Sequence, residues 1–232
     1  MENMELRNDQ EVKQMSFLQR VIGVIVSPKK AMEAIVQKSD ILYPILAMLL
    51  TTPIFYLIRY PLFEQMVKTK LENTPQAAQM TPSMISFSTK IGLITAPIGV
   101  IIMWIVITFI FWGILRIFKG EGKFKQYLSV TGYAYTIVII SMIVTLIASY
   151  FTGSLILDTS LASITNLFAP DLKGSFLYGI IRGINLFGIW QFIVYAIGLK
   201  VVSKLSSAKV YSVVSVVYIV MILLSANSLK LS

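Results

Sequence analysis

A bundle of five membrane-spanning α-helices, preceded by N-terminal interfacial amphipathic helices, is the fold this sequence predicts, and three observations predict it. The 232 residues are 56% hydrophobic, with a mean hydropathy of +0.77. So apolar a chain could not cover its own surface with polar side chains in water. Its apolar residues gather in long runs, each near the roughly 20 residues a helix needs to cross ~30 Å of hydrocarbon. Those runs are continuous, whereas the segments of a membrane β-barrel are about 10 residues long and alternate in polarity.

The elements follow in chain order. Residues 1–15, MENMELRNDQEVKQM, are a polar tail without the apolar core of a secretory signal, so the N-terminus is expected to be retained. Residues 16–40 read as cytoplasmic amphipathic helices. Phe17, Val21, Val24 and Ile25 can share one helical face, as can Met32, Ile35 and Val36. Ser27 then Pro28 marks a helix start, with Ser as N-cap and Pro at the first helical position. These faces either dip into the membrane interface beside Lys29, Lys30 and Lys38 or pack on the ends of the bundle.

Residues 41–226 form the membrane domain. Its spans are predicted at Ile41–Ile58, Ile91–Leu115, Leu128–Phe151, Phe176–Val202 and Val210–Ala226. Pro44, Pro53 and Pro97 do not veto the first two, because neighbouring helices satisfy the backbone groups that a proline frees. Residues 227–232 are a short C-terminal tail.

The chain carries 20 Lys and Arg against 11 Asp and Glu, for a net charge of +9. On a membrane protein such an excess implies attraction to anionic lipid headgroups, and nucleic acid is not the inferred partner. Five spans place Arg7, Lys13, Arg20, Lys29, Lys30, Lys38, Arg116, Lys119, Lys123, Lys125, Lys200, Lys204 and Lys209 on one side. The other side receives the smaller set of Arg59, Lys68, Lys70, Lys90, Lys173, Arg182 and Lys230. The positive-inside rule therefore puts the N-terminus in the cytoplasm and the C-terminus outside the cell membrane.

Chemistry is narrowly bounded. The chain has no His and no Cys, so imidazole bases, thiolate nucleophiles and the metal sites built from them are excluded. The stretch KGEGKF at 119–124 lacks the glycine spacing and the Ser or Thr of a phosphate-binding loop, and it follows an apolar span rather than a strand. Gly120 and Gly122 are better read as a tight turn between two spans. Asp158 and Asp171 make no acid/base pair. Neither a catalytic site, a cofactor nor a metal is predicted.

The polar membrane residues of interest are Arg182 and Asn185. Arg182 lies near one end of its span, where its side chain can reach headgroups and where Asp171 could pair with it. Asn185 is expected to hydrogen-bond across helices or to a buried backbone group. Gly179 and Gly183 form a small-xxx-small pattern that admits close helix approach, in association with a partner or a second copy. Trp190, Gln191 and Tyr195 read as interhelical packing, and Trp112 as an interfacial anchor.

Three stretches together resemble the Yip domain family, named for Ypt-interacting proteins: RVIGVIVSPKKAMEAI with Pro28, GKFKQYLSVTGYAY, and NLFGIWQFIVYAIGL. The resemblance covers about residues 16–226. Phe124, Gly132, Tyr133 and Ala134 match the family's "F … YA" pattern, and Asn185, Trp190, Gly198 and Leu199 its "D-x-F-x-x-W … GL" pattern. Asn185 replaces the usual Asp, and the Pro that often follows the Tyr-Ala pair is missing. The resemblance implies a non-enzymatic integral membrane protein. It points to the bacterial branch, including YknW-like proteins linked to ABC-type exporters of toxic peptides. The expected function is an accessory or scaffold whose partners are the bilayer and other membrane proteins, exporter subunits among them, or a second copy. A small permease with a path along the fourth helix is the alternative.

Overall fold

The computed structural model describes residues 15–72, 81–153, 159–172 and 174–230. The polar N-terminal tail up to residue 14, Asp158 and the last two residues of the C-terminal tail lie outside these. Among the described residues every regular element is a helix, and one isolated bridge joins Ser160 to Asn185.

The N-terminal pair comprises α1 (Phe17–Val26) and α2 (Pro28–Gln37). Ser16 caps α1 by accepting from Gln19 N, while the Gln19 side chain accepts from Ser16 N. Ser27 and Pro28 do stand at the N-cap and first position of α2, but the Ser27 hydroxyl makes no capping bond. The face expected on α1 is divided. Arg20, Gly23 and Val24 turn to the bundle, while Phe17, Leu18, Ile22, Ile25 and Val26 face outward. The reason is Gly23: a Cβ there would lie 3.0 Å from Ala31 Cβ, and its absence lets α1 close on α2. On α2 the packing alternative holds, since Met32 and Ile35 are fully buried in the core.

The chain then turns by 119° into α3 (Leu42–Ile58). At 17 residues, α3 is at the short end of what crosses a bilayer, and with α2 it makes one sharply bent apolar pair. After it come α4 (Tyr60–Glu72) and α5 (Pro82–Ile117), whose 36 residues far exceed the expected Ile91–Leu115. Thr81 caps α5 through Met84 N, and Pro82 at the first position costs no hydrogen bond. The third span bends at Ala134 into α6 (Phe124–Tyr133) and α7 (Tyr135–Thr152). The short α8 (Leu161–Phe168) and a 3-10 turn at Pro170–Leu172 precede the fourth span.

That fourth span is not the single helix expected over Phe176–Val202. It is divided into α9 (Phe176–Gly183) and α10 (Leu186–Ser203), with Ile184 and Asn185 extended between them. Leu161 N donates to Ile184 O at 3.0 Å, so the residues leading into α8 hold the break open. The last helix is α11 (Ser207–Lys230). By length and hydropathy the described residues hold four membrane-spanning helices, or five with the bent pair α2–α3. The protein is a multi-pass membrane protein.

The core centres on α6. Tyr127, Val130 and Tyr133 are fully buried, among Met32 and Ile35 of α2, Phe111 and Leu115 of α5, and Val194 and Leu199 of α10. Close approach is built in at two glycines. A Cβ on Gly132 would collide with the Pro44 ring and come within 3.0 Å of Trp104, and one on Gly198 would collide with Val130 and press on Met32 Sδ at 2.9 Å. Gly132→Ala should destabilise the fold by about 1–3 kcal/mol through overpacking. Gly113→Ala, where a Cβ meets nothing within 4 Å, should be neutral or stabilising by up to about 1 kcal/mol. Equilibrium unfolding in detergent micelles, monitored by circular dichroism, separates the two.

Candidate functional site

Within the membrane region many Ser and Thr hydroxyls bond back to their own helix, and a smaller set joins helix to helix. Trp104 Nε1 donates to Thr131 Oγ1 at 3.0 Å, and Thr131 and Thr108 share a bond of 2.6 Å. The Tyr135 hydroxyl lies 3.3 Å from both Thr51 and Thr52 Oγ1, tying α7 to α3. In an apolar medium each such bond replaces the full desolvation cost of an unpaired group.

A charged seam that the sequence reading did not single out lies at the α2–α3 elbow. Arg20 is only 5% exposed, although it stands in the apolar run of α1. Its Nη1 donates to Lys38 O at 3.1 Å, and its guanidinium lies over the Tyr133 ring at 5.7 Å. The Tyr133 hydroxyl donates to Asp40 Oδ2 at 3.1 Å, while Asp40 Oδ1 accepts from Leu42 N, the first N–H of α3. Tyr43 stacks beside Tyr133 and shares a 2.8 Å bond with Thr136. The buried cation and the half-buried carboxylate are thus joined through a tyrosine. The one sequence signal for this seam is a lone Arg within an apolar helix, followed by a lone Asp before the first span.

The basic stretches meet at the same end of the bundle. Glu121 N donates to Ser203 O at 2.9 Å, and Lys204 pairs with Glu121 at 2.7 Å. Gln126 Nε2 donates to Val36 O at 3.1 Å, and Arg116 Nη2 to Gly122 O at 2.8 Å. The 116–125 turn is thereby sewn to α2 and to the end of α10. Gly122 has φ +87° and packs under Val202, a conformation and a space that only glycine fits. At the opposite end Arg59 Nη2 donates to Ser149 O at 2.8 Å and covers the Tyr150 ring.

The Yip1 domain family model matches residues 22–227. The chain belongs to the Yip1 domain family. It is also 38% identical over 68 residues, 29% of its length, to an uncharacterized protein of Methanocaldococcus jannaschii. The match spans about half of that relative, 48% of its length. No solved structure matches the chain.

The motif positions of this Yip1 domain hold its framework. Pro28 opens α2, and Phe124 opens α6 with its ring 5.6 Å from Trp112. Gly132 and Gly198 sit at close helix contacts, Tyr133 is in the charged seam, Ala134 is the bend and Leu199 is fully buried. Trp190 is half-buried against the core. Asn185 is the N-cap of α10, accepting from Phe187 N and Gly188 N at 2.9 and 3.2 Å and donating to Thr159 Oγ1 at 2.8 Å. An Asp, the residue more usual in the motif, would serve the same cap.

Gly179 and Gly183 are engaged within the chain. Their Cβ positions would strike Ala226 Cα at 2.5 Å and Ile222 Cγ1 at 2.6 Å, and Tyr218 donates to Gly183 O at 2.8 Å. The expected association face is therefore occupied by α11, and Leu at both positions would break this fold rather than a complex. Arg182 is exposed in the last turn of α9. Asn185→Leu should cost about 1 kcal/mol through the lost cap, whereas Asn185→Asp should stay near the parent. Thermal unfolding of the two variants in the same detergent checks the difference.

Proposed function

We propose that this Yip1 domain is a non-enzymatic scaffold in the cell membrane, an accessory of a transport complex such as an ABC-type exporter of toxic peptides. Its basic end faces the cytoplasm. The observation that carries the reading is the division of labour among polar groups. A set inside the bundle locks helices together, while Lys29, Lys30, Lys125, Lys200, Lys204 and Lys209 stand exposed at one end. Such a molecule offers an apolar flank to lipid and to other helices, and a cationic end to anionic headgroups.

Orientation is tested with a single cysteine, since the native chain has none. Lys125→Cys suits this because the position is exposed and helical, unlike Gly122. In intact cells it should resist an impermeant maleimide and react after permeabilisation; labelling of intact cells would invert the topology. Cross-linking in cells followed by gentle-detergent purification should recover another membrane protein, an exporter permease being the expected one. Purified protein that alone moved a solute across liposomes, at a rate abolished by Arg182→Ala, would replace the scaffold with the permease.

A further inference from the structure

A cleft of about 540 Å³ lies between α3, α5, α7, α10 and α11. This is the size of a small-molecule site, where roughly 300–1,000 Å³ is usual. Its walls are mainly apolar, with Met48, Ile107, Val138 and Met142 among them. Met103 and Met221 stand at its rim, 56% and 38% exposed on the flank of membrane helices. The mouth therefore opens sideways onto hydrocarbon, and what enters comes from the bilayer.

Within the cleft sit Gln191 and Tyr195, both on α10. Tyr195 is 6% exposed, and its hydroxyl lies 3.0 Å from Gln191 Nε2. Whichever way round the amide is taken, this pair keeps an N–H or O–H with no acceptor among the described residues. A donor held in an apolar cleft is costly unless an oxygen meets it. We propose that the cleft is a lateral binding site for a membrane-dissolved lipophile, an apolar chain carrying a hydroxyl or carbonyl oxygen near mid-bilayer depth. The Gln191–Tyr195 pair donates to that oxygen, and the methionine-rich walls adapt to the chain.

Trp104 lines the cleft and is itself buried from the bilayer, which makes it the reporter. The full chain, with Trp112 and Trp190 replaced by Phe, is reconstituted in phosphatidylcholine vesicles containing one of two quenching lipids. One has a mid-chain dibromide and no oxygen at that depth. The other has a mid-chain nitroxide, whose oxygen accepts hydrogen bonds. Each is calibrated against a chain whose one Trp is the lipid-facing Phe109→Trp. After calibration, the nitroxide lipid should half-quench Trp104 at a several-fold lower mole fraction than the dibromide. Tyr195→Phe should remove that advantage. Gly99→Phe should lower quenching by both lipids, because Gly99 lines the cleft and a Cβ there meets nothing within 4 Å, so a ring can be carried into the cleft. Should the double Trp variant fail to fold, the immobilised nitroxide population around the unaltered chain, compared with the same two variants, gives the same reading. Quenching indifferent to Gly99→Phe overturns entry into the cleft. Equal quenching by the two lipids, or an advantage that survives Tyr195→Phe, leaves a plain acyl-chain groove and overturns the recognition of an oxygen.

Discussion

The close packing of α6 is the constraint on which the rest of the structure depends. Six of its ten residues, Tyr127 and Ser129 to Tyr133, are buried although four of them carry hydroxyls, and two conditions make that possible. Neighbouring backbones must come near, which Gly132 allows against Pro44 and Gly198 allows against Val130. Each buried hydroxyl must also find a partner, as Thr131 does with Trp104 and Thr108, and Tyr127 with Glu121 O. Without a hydrophobic driving force between helices in lipid, such close contacts and shared hydrogen bonds are what select one arrangement. The helices α2, α3, α5 and α10 take their places around this axis, and so does the elbow that seats Arg20.

This arrangement also explains why the family motif falls where it does. Its residues are not gathered around a reacting centre. Gly132, Tyr133, Ala134, Gly198 and Leu199 lie where α6 meets its neighbours, and Asn185 fixes the start of the helix that carries the last two. A framework of this kind keeps one end of the bundle in register. The 116–125 turn, α2 and the end of α10 are sewn together there, so exposed lysines from separate parts of the chain present one cationic surface.

How much of this was legible in the sequence depends on the range of the interaction. Continuous apolar runs report membrane helices directly, so the all-helical class could be read from hydropathy, with four of the five expected passes, or all five if the bent pair α2–α3 is one span. The break at Ile184–Asn185 could not, because a hydropathy sum passes over one Asn and cannot see that residues 159–161 pair with it. A capping reading of Asn185, an Asn ahead of an apolar helix, would have found it. The small-xxx-small pattern of Gly179 and Gly183 was visible but its partner was not, since α11 returns from more than thirty residues downstream. The same limit hid the Arg20–Tyr133–Asp40 seam, whose members become neighbours only through tertiary packing. The alternative left open for the N-terminal helices resolved in parts, with α2 entering the core and α1 keeping an outward apolar face.

The length of α5 carries a mechanical consequence. At about 1.5 Å per residue, its 36 residues make a rod of roughly 54 Å, against a hydrocarbon core of ~30 Å. Standing upright, such a helix leaves roughly 24 Å beyond the apolar layer, and a tilted one leaves less. Near that far end Gly92 lies against Phe63 of α4, so the overhang is braced rather than bare. The opposite end is clamped through Trp112, Phe124 and the 116–125 turn. Held at both ends, α5 sets the distance between α4 at one end of the bundle and the 116–125 turn at the other, so the two ends keep one spacing.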